Sequence, residues 1–273
     1  ICRAAQLKEG EARLADLMKA EQTDPSWRAG MALLNYYTAE SNWDKVVETG
    51  KKYIRKYPDN YYIGLKYANG LCETRQYGSC ISLLSKMQVL PNEGSYAGRA
   101  VYRAANLYQA MDQFSKRRYD AALKSIKASE EWPENLGVGK PYDDQIDKRL
   151  EDYLEAKVYE KKGETAKAQT LLDKVSSHPT STRNFESAHL LTALALRDTG
   201  KQAEADKLVA SWKKDFPESK PAQWCAAVYH GNMDQARELL SSRYASSETT
   251  PWETGYRDTN FDLIARLFSE VPR

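Results

Sequence analysis

Apolar residues in this chain recur three and four positions apart, and they do so in blocks. Leu33, Leu34, Tyr36 and Tyr37 are followed by Trp43, Val46, Gly50 and Tyr53, and the block closes on Pro58. The same grammar returns as Ala68, Leu71, Tyr77, Cys80, Leu84, Met87 and Pro91, and again as Ala105, Tyr108, Tyr119, Ala122, Ile126, Ser129 and Pro133. A fourth block reads Ala156, Tyr159, Gly163, Ala168, Leu172, Val175 and Pro179; a fifth reads Ala193, Leu196, Gly200, Ala205, Val209, Trp212 and Pro217. Gly231, Ala236 and Leu240 form a degenerate sixth. Spacing of three and four is helical, whereas a strand would alternate every second residue. Each block therefore predicts two amphipathic helices joined by a short turn.

The punctuation agrees with this reading. Gly163, Gly200 and Gly231 fall at the turns, where a positive φ follows a helix end. Pro58, Pro179 and Pro217 end the second helices, because proline cannot continue one. The small residues Val46, Cys80, Ala122, Ala168, Ala205 and Ala236 are predicted at close helix contacts, and they stand 34, 42, 46, 37 and 31 positions apart. Two steps are thus long. One insertion lengthens the third block around Met111–Arg118, and the other is the loop from Pro133 to Tyr142.

In grammar and period the blocks resemble the tetratricopeptide repeat, a helix pair of 34 residues. The resemblance covers roughly residues 26–243. It implies an all-α fold, a right-handed α-solenoid of five to six helix pairs with a capping helix at each end. Residues 1–25 would be the N-terminal cap and 244–273 a loop with the C-terminal cap, so that 1–273 form a single domain. The cap stripes are Leu7, Leu14, Leu17 and Met18 at one end, and Phe261, Ile264, Leu267 and Phe268 at the other. The chain departs from the family at the fourth repeat position, usually Trp, which here is Gly30, Gly64, Asp152 and His189.

The resemblance also implies a concave groove lined by the first helix of each pair. Counted from Trp27, Asn35, Asn69 and Asn106 occupy equivalent groove positions, with Lys66, Arg99 and Arg103 beside them. Asparagine both donates and accepts, so such a ladder suits the backbone of an extended peptide. Family members that clamp a terminal carboxylate place Lys, Asn and Arg at similar positions. Met31, Leu65 and Tyr102 stand here where those clamps use a Lys. Solvated positions that merely keep the groove wet would look the same. In the later blocks the groove positions are Tyr153, Leu190, Leu191, Leu194 and Val228, an apolar strip too large to leave in water. Its cover is a partner, an upstream domain, or the chain's own 244–258 segment with the last helix. Connected cover costs no association entropy.

Composition narrows the functions. With 40 Lys+Arg against 38 Asp+Glu the net charge is +2, which lacks the basic excess of a nucleic-acid binder. No apolar run reaches the 18 residues that a membrane span requires. The chain opens Ile-Cys-Arg, as an internal cut from a longer protein would, and a signal peptide leading to the periplasm or cell envelope would lie upstream. Cys2, Cys72, Cys80 and Cys225 form no C-x-x-C pair, and Cys72 and Cys80, each in a small apolar slot of the repeat, read as buried free thiols.

Candidate chemistry is sparse. Gly137-Val-Gly139-Lys140 lacks phosphate-loop spacing, and Pro141 follows the lysine. His178, His189 and His230 are scattered, without metal-ligand spacing. Glu130-Glu131 and Asp143-Asp144 read as solvated turns. No catalytic residue, metal or cofactor is expected, and the chain reads as a docking scaffold for a protein or peptide segment or for an upstream domain of its own polypeptide. The string from Trp132 to Asp143 is similar to one in the repeat tails of large bacterial proteins that carry a sugar-epimerase-like β-domain. That resemblance implies a carbohydrate-related whole protein, an accessory role at a glycan site, and an interest in Tyr61, Tyr62, Trp132 and Tyr142 as stacking surfaces.

Overall fold

The computed structural model describes residues 10–91, 96–180, 184–245, 258 and 260–270. Every regular element among them is helical, with no strand. The α-helices are α1 (Gly10–Thr23), α2 (Trp27–Ala39), α3 (Trp43–Lys56), α4 (Tyr61–Glu73), α5 (Tyr77–Leu84), α6 (Ala97–Ser115) and α7 (Tyr119–Ser129), followed by α8 (Arg149–Lys162), α9 (Thr165–Ser176), α10 (Ala188–Asp198), α11 (Gln202–Asp215), α12 (Lys220–Tyr229), α13 (Met233–Ala245) and α14 (Phe261–Glu270). Leu7 lies outside the described residues, as does nearly all of the 244–258 segment. The chain divides into two compact units: residues 1–109 with 128–141 form one, and 110–127 with 142–273 form the other. The boundary falls inside α6 and α7 rather than in a loop.

The turns repeat in atomic detail. A residue just after the first helix of each pair has a positive φ: Ser41, Arg75, Arg117, Gly163, Gly200 and Gly231, at 52° to 82°. At each, the next amide reaches back to the carbonyl five residues earlier, as Asn42 to Tyr37, Gln76 to Leu71, Arg118 to Gln113, Glu164 to Tyr159, Lys201 to Leu196 and Asn232 to Ala227, all at 2.8–2.9 Å. These are Schellman closures, which satisfy carbonyls that a helix end leaves unpaired. Their spacing reproduces the 34, 42, 46, 37 and 31 residue steps of the sequence. Three of the six use a non-glycine residue in a conformation that costs about 1 kcal/mol.

In the first unit, α1 packs on α2, α2 on α3, α3 on α4 and α4 on α5, and α2 also touches α4. In the second, α8 to α13 pack each on the next, and α8 meets α10 while α10 meets α12. First helices therefore contact one another as well as their own partners. The glycines at the fourth repeat position have a packing reason: a Cβ at Gly30 would stand 2.6 Å from the Tyr53 ring, and one at Gly64 would stand 2.5 Å from Met87 Cε. The volume that a large residue would supply from the first helix arrives from Tyr53 of α3 and from Met87, just past the end of α5.

Both insertions have a structural use. The longer third block extends α6 to 19 residues. The 133–141 loop docks on the first unit. Asn135 donates to the carbonyls of Leu84 and Met87 at 2.8 and 2.7 Å, and accepts from the Val89 amide at 2.8 Å. It thereby closes the end of α5, while Leu136 is fully buried. At Gly137, with φ 72°, a Cβ would meet the Val89 carbonyl oxygen at 2.7 Å. This glycine serves the close approach, and the loop faces backbone, not phosphate.

Candidate functional site

The polar ladder expected on α2, α4 and α6 is only partly open to solvent. Ser26 caps α2 by accepting from Ala29, and Asn60 caps α4 by accepting from Ile63 at 3.2 Å. These caps set the register that carries Asn35 and Asn69. Asn35 is exposed; Lys66, Asn69 and Arg103 are half-buried. Arg99 and Asn106 correct the expectation. Arg99 is 5% exposed, donates to the Ser129 carbonyl at 2.7 Å, and stacks 4.6 Å from the Trp132 ring centroid. Asn106 is 3% exposed and donates to Tyr102 O on its own helix at 2.9 Å. Both are interior residues of the first unit, Arg99 bound to the last residue of α7 and Asn106 to its own helix. Tyr102 shares that site, donating to Glu131 at 3.1 Å, and burial followed by the Glu131 charge raises its pKa. Trp132 is thereby spent on Arg99, while the Tyr61 and Tyr62 rings meet at 4.2 Å, tilted by 31°, with Tyr62 about half-exposed, and Tyr142 is exposed.

The apolar strip of the second unit is not left open to water: the chain itself covers it. Tyr153, Leu190, Leu191, Leu194 and Val228 are all at most 5% exposed. In the same unit the Phe261 ring of α14 meets Trp224 of α12 edge-on at 5.1 Å. Asp258, just before α14, accepts from the Ser187 amide at the start of α10 at 2.5 Å.

A cleft that the sequence reading did not anticipate lies in the same unit. About 180 Å³ in volume, it is lined by Ile146, Lys148, Arg149, Asp152, Lys174 and His178, with Asp143 and Val175. Arg149 is 2% exposed and held from several sides. Asp147 accepts from its Nε and Nη2 at 2.7–3.1 Å, Glu186 from Nη2 at 2.9 Å, and Thr192 from Nη1 at 3.4 Å. Burial opposes ionisation of Asp147, but the Arg149 contacts outweigh it and hold the carboxyl below 3.8. Lys174 pairs with Asp152 at 2.7 Å. His178 is pushed below 6.5 by burial and by Arg149, and His189, 1% exposed, is pushed to about 4 by the same causes. Partners 37 and 43 positions apart leave no local signal, so periodicity could not reveal this network. It ties the start of α8 to α10 and reads as structural cement, since buried charges require such pairing.

Cys72, Cys80 and Cys225 are buried free thiols. His230 packs edge-on against Tyr229. No group of His, Cys, Asp or Glu able to hold a metal exists among the described residues. No helix among them is long and apolar enough to cross a membrane. No family model matches the chain, and no curated protein matches it.

Proposed function

We propose that the chain is a tetratricopeptide-like α-solenoid of six helix pairs, working as a non-catalytic scaffold that holds an extended protein segment. Six identical turn closures at the repeat spacing support the repeat count, and contacts between successive first helices support the stacking. The observation that carries the docking reading is the equivalent placement of Asn35 on α2 and Asn69 on α4. Both amides retain solvent access on helices that touch each other. Such amides can pair with consecutive peptide groups of a ligand. Lys66 and Arg103 add positive charge, so an acidic or carboxylate-ended segment is the expected ligand. The test is selection from a random peptide library displayed on phage. The wild type should enrich a motif that Asn35→Ala with Asn69→Ala does not retain, at unchanged circular dichroism. Failure of the wild type to enrich any peptide, or equal enrichment by the variant, defeats the reading.

A second reading is favoured by the Tyr61–Tyr62 pair, in which the half-exposed Tyr62 ring offers a face to a sugar. In it the chain is an accessory part of a carbohydrate-active protein. Binding to a glycan array that is lost in Tyr62→Ala and kept in Asn69→Ala would select it over peptide docking.

A further inference from the structure

The last helix is sunk into the second unit more deeply than an end cap needs to be. Phe261, Leu263, Ile264, Ala265 and Leu267 are all at most 5% exposed. At about 100° per residue these positions span roughly 200° of the helix circumference, whereas a helix lying on a flat apolar face buries a stripe of about 100°. The helix therefore lies in a trough. Its entry is fixed by one carboxylate that serves two helix starts. Asp258 Oδ1 accepts from the Asn260 amide at 2.9 Å at the head of α14, and Oδ2 accepts from the Ser187 amide at 2.5 Å at the head of α10. Amides at helix starts have no intrahelical acceptor, and the helix dipole favours an anion there. Beside this anchor Cys225 is fully enclosed, its thiol 3.9 Å from the Ser187 carbonyl oxygen and its ionisation opposed by burial and by Asp258. The apolar ring of Phe261 then enters against Trp224.

Phe261, Ile264, Ala265 and Phe268 stand at the i, i+3, i+4 and i+7 positions by which an amphipathic helix is recognised in a groove, with the acidic Asp258 three positions ahead of them. We propose that the second unit is a receptor for such helices, that α14 is the ligand it holds in cis, and that a partner helix with this acidic head and apolar spacing takes the same trough by displacing α14. This rests on the docking-scaffold reading but on a different surface, so α2 and α4 substitutions leave it untouched. A short tether gives α14 an effective concentration of roughly millimolar, so a partner displaces it from the intact chain only by binding the trough more tightly than α14 does.

The test starts by placing a protease site between residues 246 and 257 of the full chain. After cleavage, a fluorescein-labelled peptide of residues 258–270 should exchange into the trough saturably, with unchanged circular dichroism. The same peptide carrying Asp258→Ala or Ile264→Asp should bind at least about tenfold more weakly, the size expected for a lost charge-assisted anchor or a charge placed in an apolar trough. Absence of exchange at millimolar peptide, or equal binding by the altered peptides, overturns the proposal. A second measurement needs no cleavage. Phe261→Ala in the intact chain should raise alkylation of Cys225 several-fold while Cys72 and Cys80 keep wild-type rates, as mapped by mass spectrometry. Equal rates at Cys225, or a rise at all three thiols from global unfolding, overturns it as well.

Discussion

Arg99 gives its Nη2 to the carbonyl of Ser129 at 2.7 Å and lays its guanidinium over Trp132, joining the start of α6 to the segment that leaves α7. A charge-assisted hydrogen bond to a buried carbonyl contributes about 1.5–3 kcal/mol, and a desolvated stack on Trp adds up to about 2. Arg99→Met keeps much of the stem volume but removes both contacts, so it should lower the unfolding free energy by about 2–3 kcal/mol. Asn35→Ala, on an exposed site, should stay within about 0.5 kcal/mol. Urea unfolding of both variants checks the contrast; a neutral Arg99→Met would return Arg99 to the ligand-facing set.

The six equivalent turns make a prediction with opposite signs. Arg117 holds φ 58° with a side chain, at the position where Gly200 holds 82° without one. Glycine reaches this region freely, whereas other L-residues cost about 1 kcal/mol there. Arg117→Gly should therefore gain about 0.5–1 kcal/mol. Gly200→Ala should lose about 1 kcal/mol, although open space surrounds an added Cβ at that site. Thermal melts of the pair separate backbone strain from lost contacts. Two losses of equal size would refute the equivalence.

These turns also show what was legible. Periodicity yielded the helix pairs and both insertions, because amphipathic spacing is a local property that packing later obeys. The glycine turns could be read, but Ser41, Arg75 and Arg117 could not, since nothing in those residue types announces a left-handed conformation. Register gave Arg99 and Asn106 a groove position without giving depth: Arg99 is covered by Trp132, from the segment after α7, and Asn106 bonds to Tyr102 of its own helix. Gly30 and Gly64 read as departures because their filling residues, Tyr53 and Met87, lie elsewhere in the chain, beyond the first helix. The cluster around Arg149 was invisible for the same reason, its partners Glu186 and Thr192 being distant in sequence.

Acid should weaken the second unit through His189. Its folded pKa is about 4, depressed by burial and then by Arg149, against 6.5 for an ordinary imidazole. Between those values the unfolded chain binds a proton that the folded chain refuses, so stability is intact above 6.5 and falls as pH drops toward 4. Charged groups around the site are Arg149, Asp147, Glu186 and His178; the last is itself depressed and acts in the same direction. The full interval corresponds to roughly 3 kcal/mol, and Asp147 adds a further loss only below its ordinary 3.8. Urea midpoints should drop between pH 7 and 4.5 in the wild type and drop less in His189→Gln. Parallel profiles would mean that His189 is hydrated in the fold.

The register of the fifth helix pair rests on Ala205, and one substitution tests it. Ala205 has no exposed surface and sits on α11, which packs against α10 and α12. It is equivalent to Val46, Cys80, Ala122, Ala168 and Ala236, which are likewise buried to at least 98%. A leucine there must displace a neighbouring helix or adopt a strained rotamer, which costs about 1–3 kcal/mol. One position earlier, Glu204 is exposed on the outer face of the same helix, and a change to Leu there costs less than about 0.5 kcal/mol. Ala205→Leu should therefore lower the melting temperature by several degrees, and Glu204→Leu should leave it nearly unchanged. Equal melting temperatures for the two variants would shift the α11 register by at least one position and break its equivalence with the other five pairs.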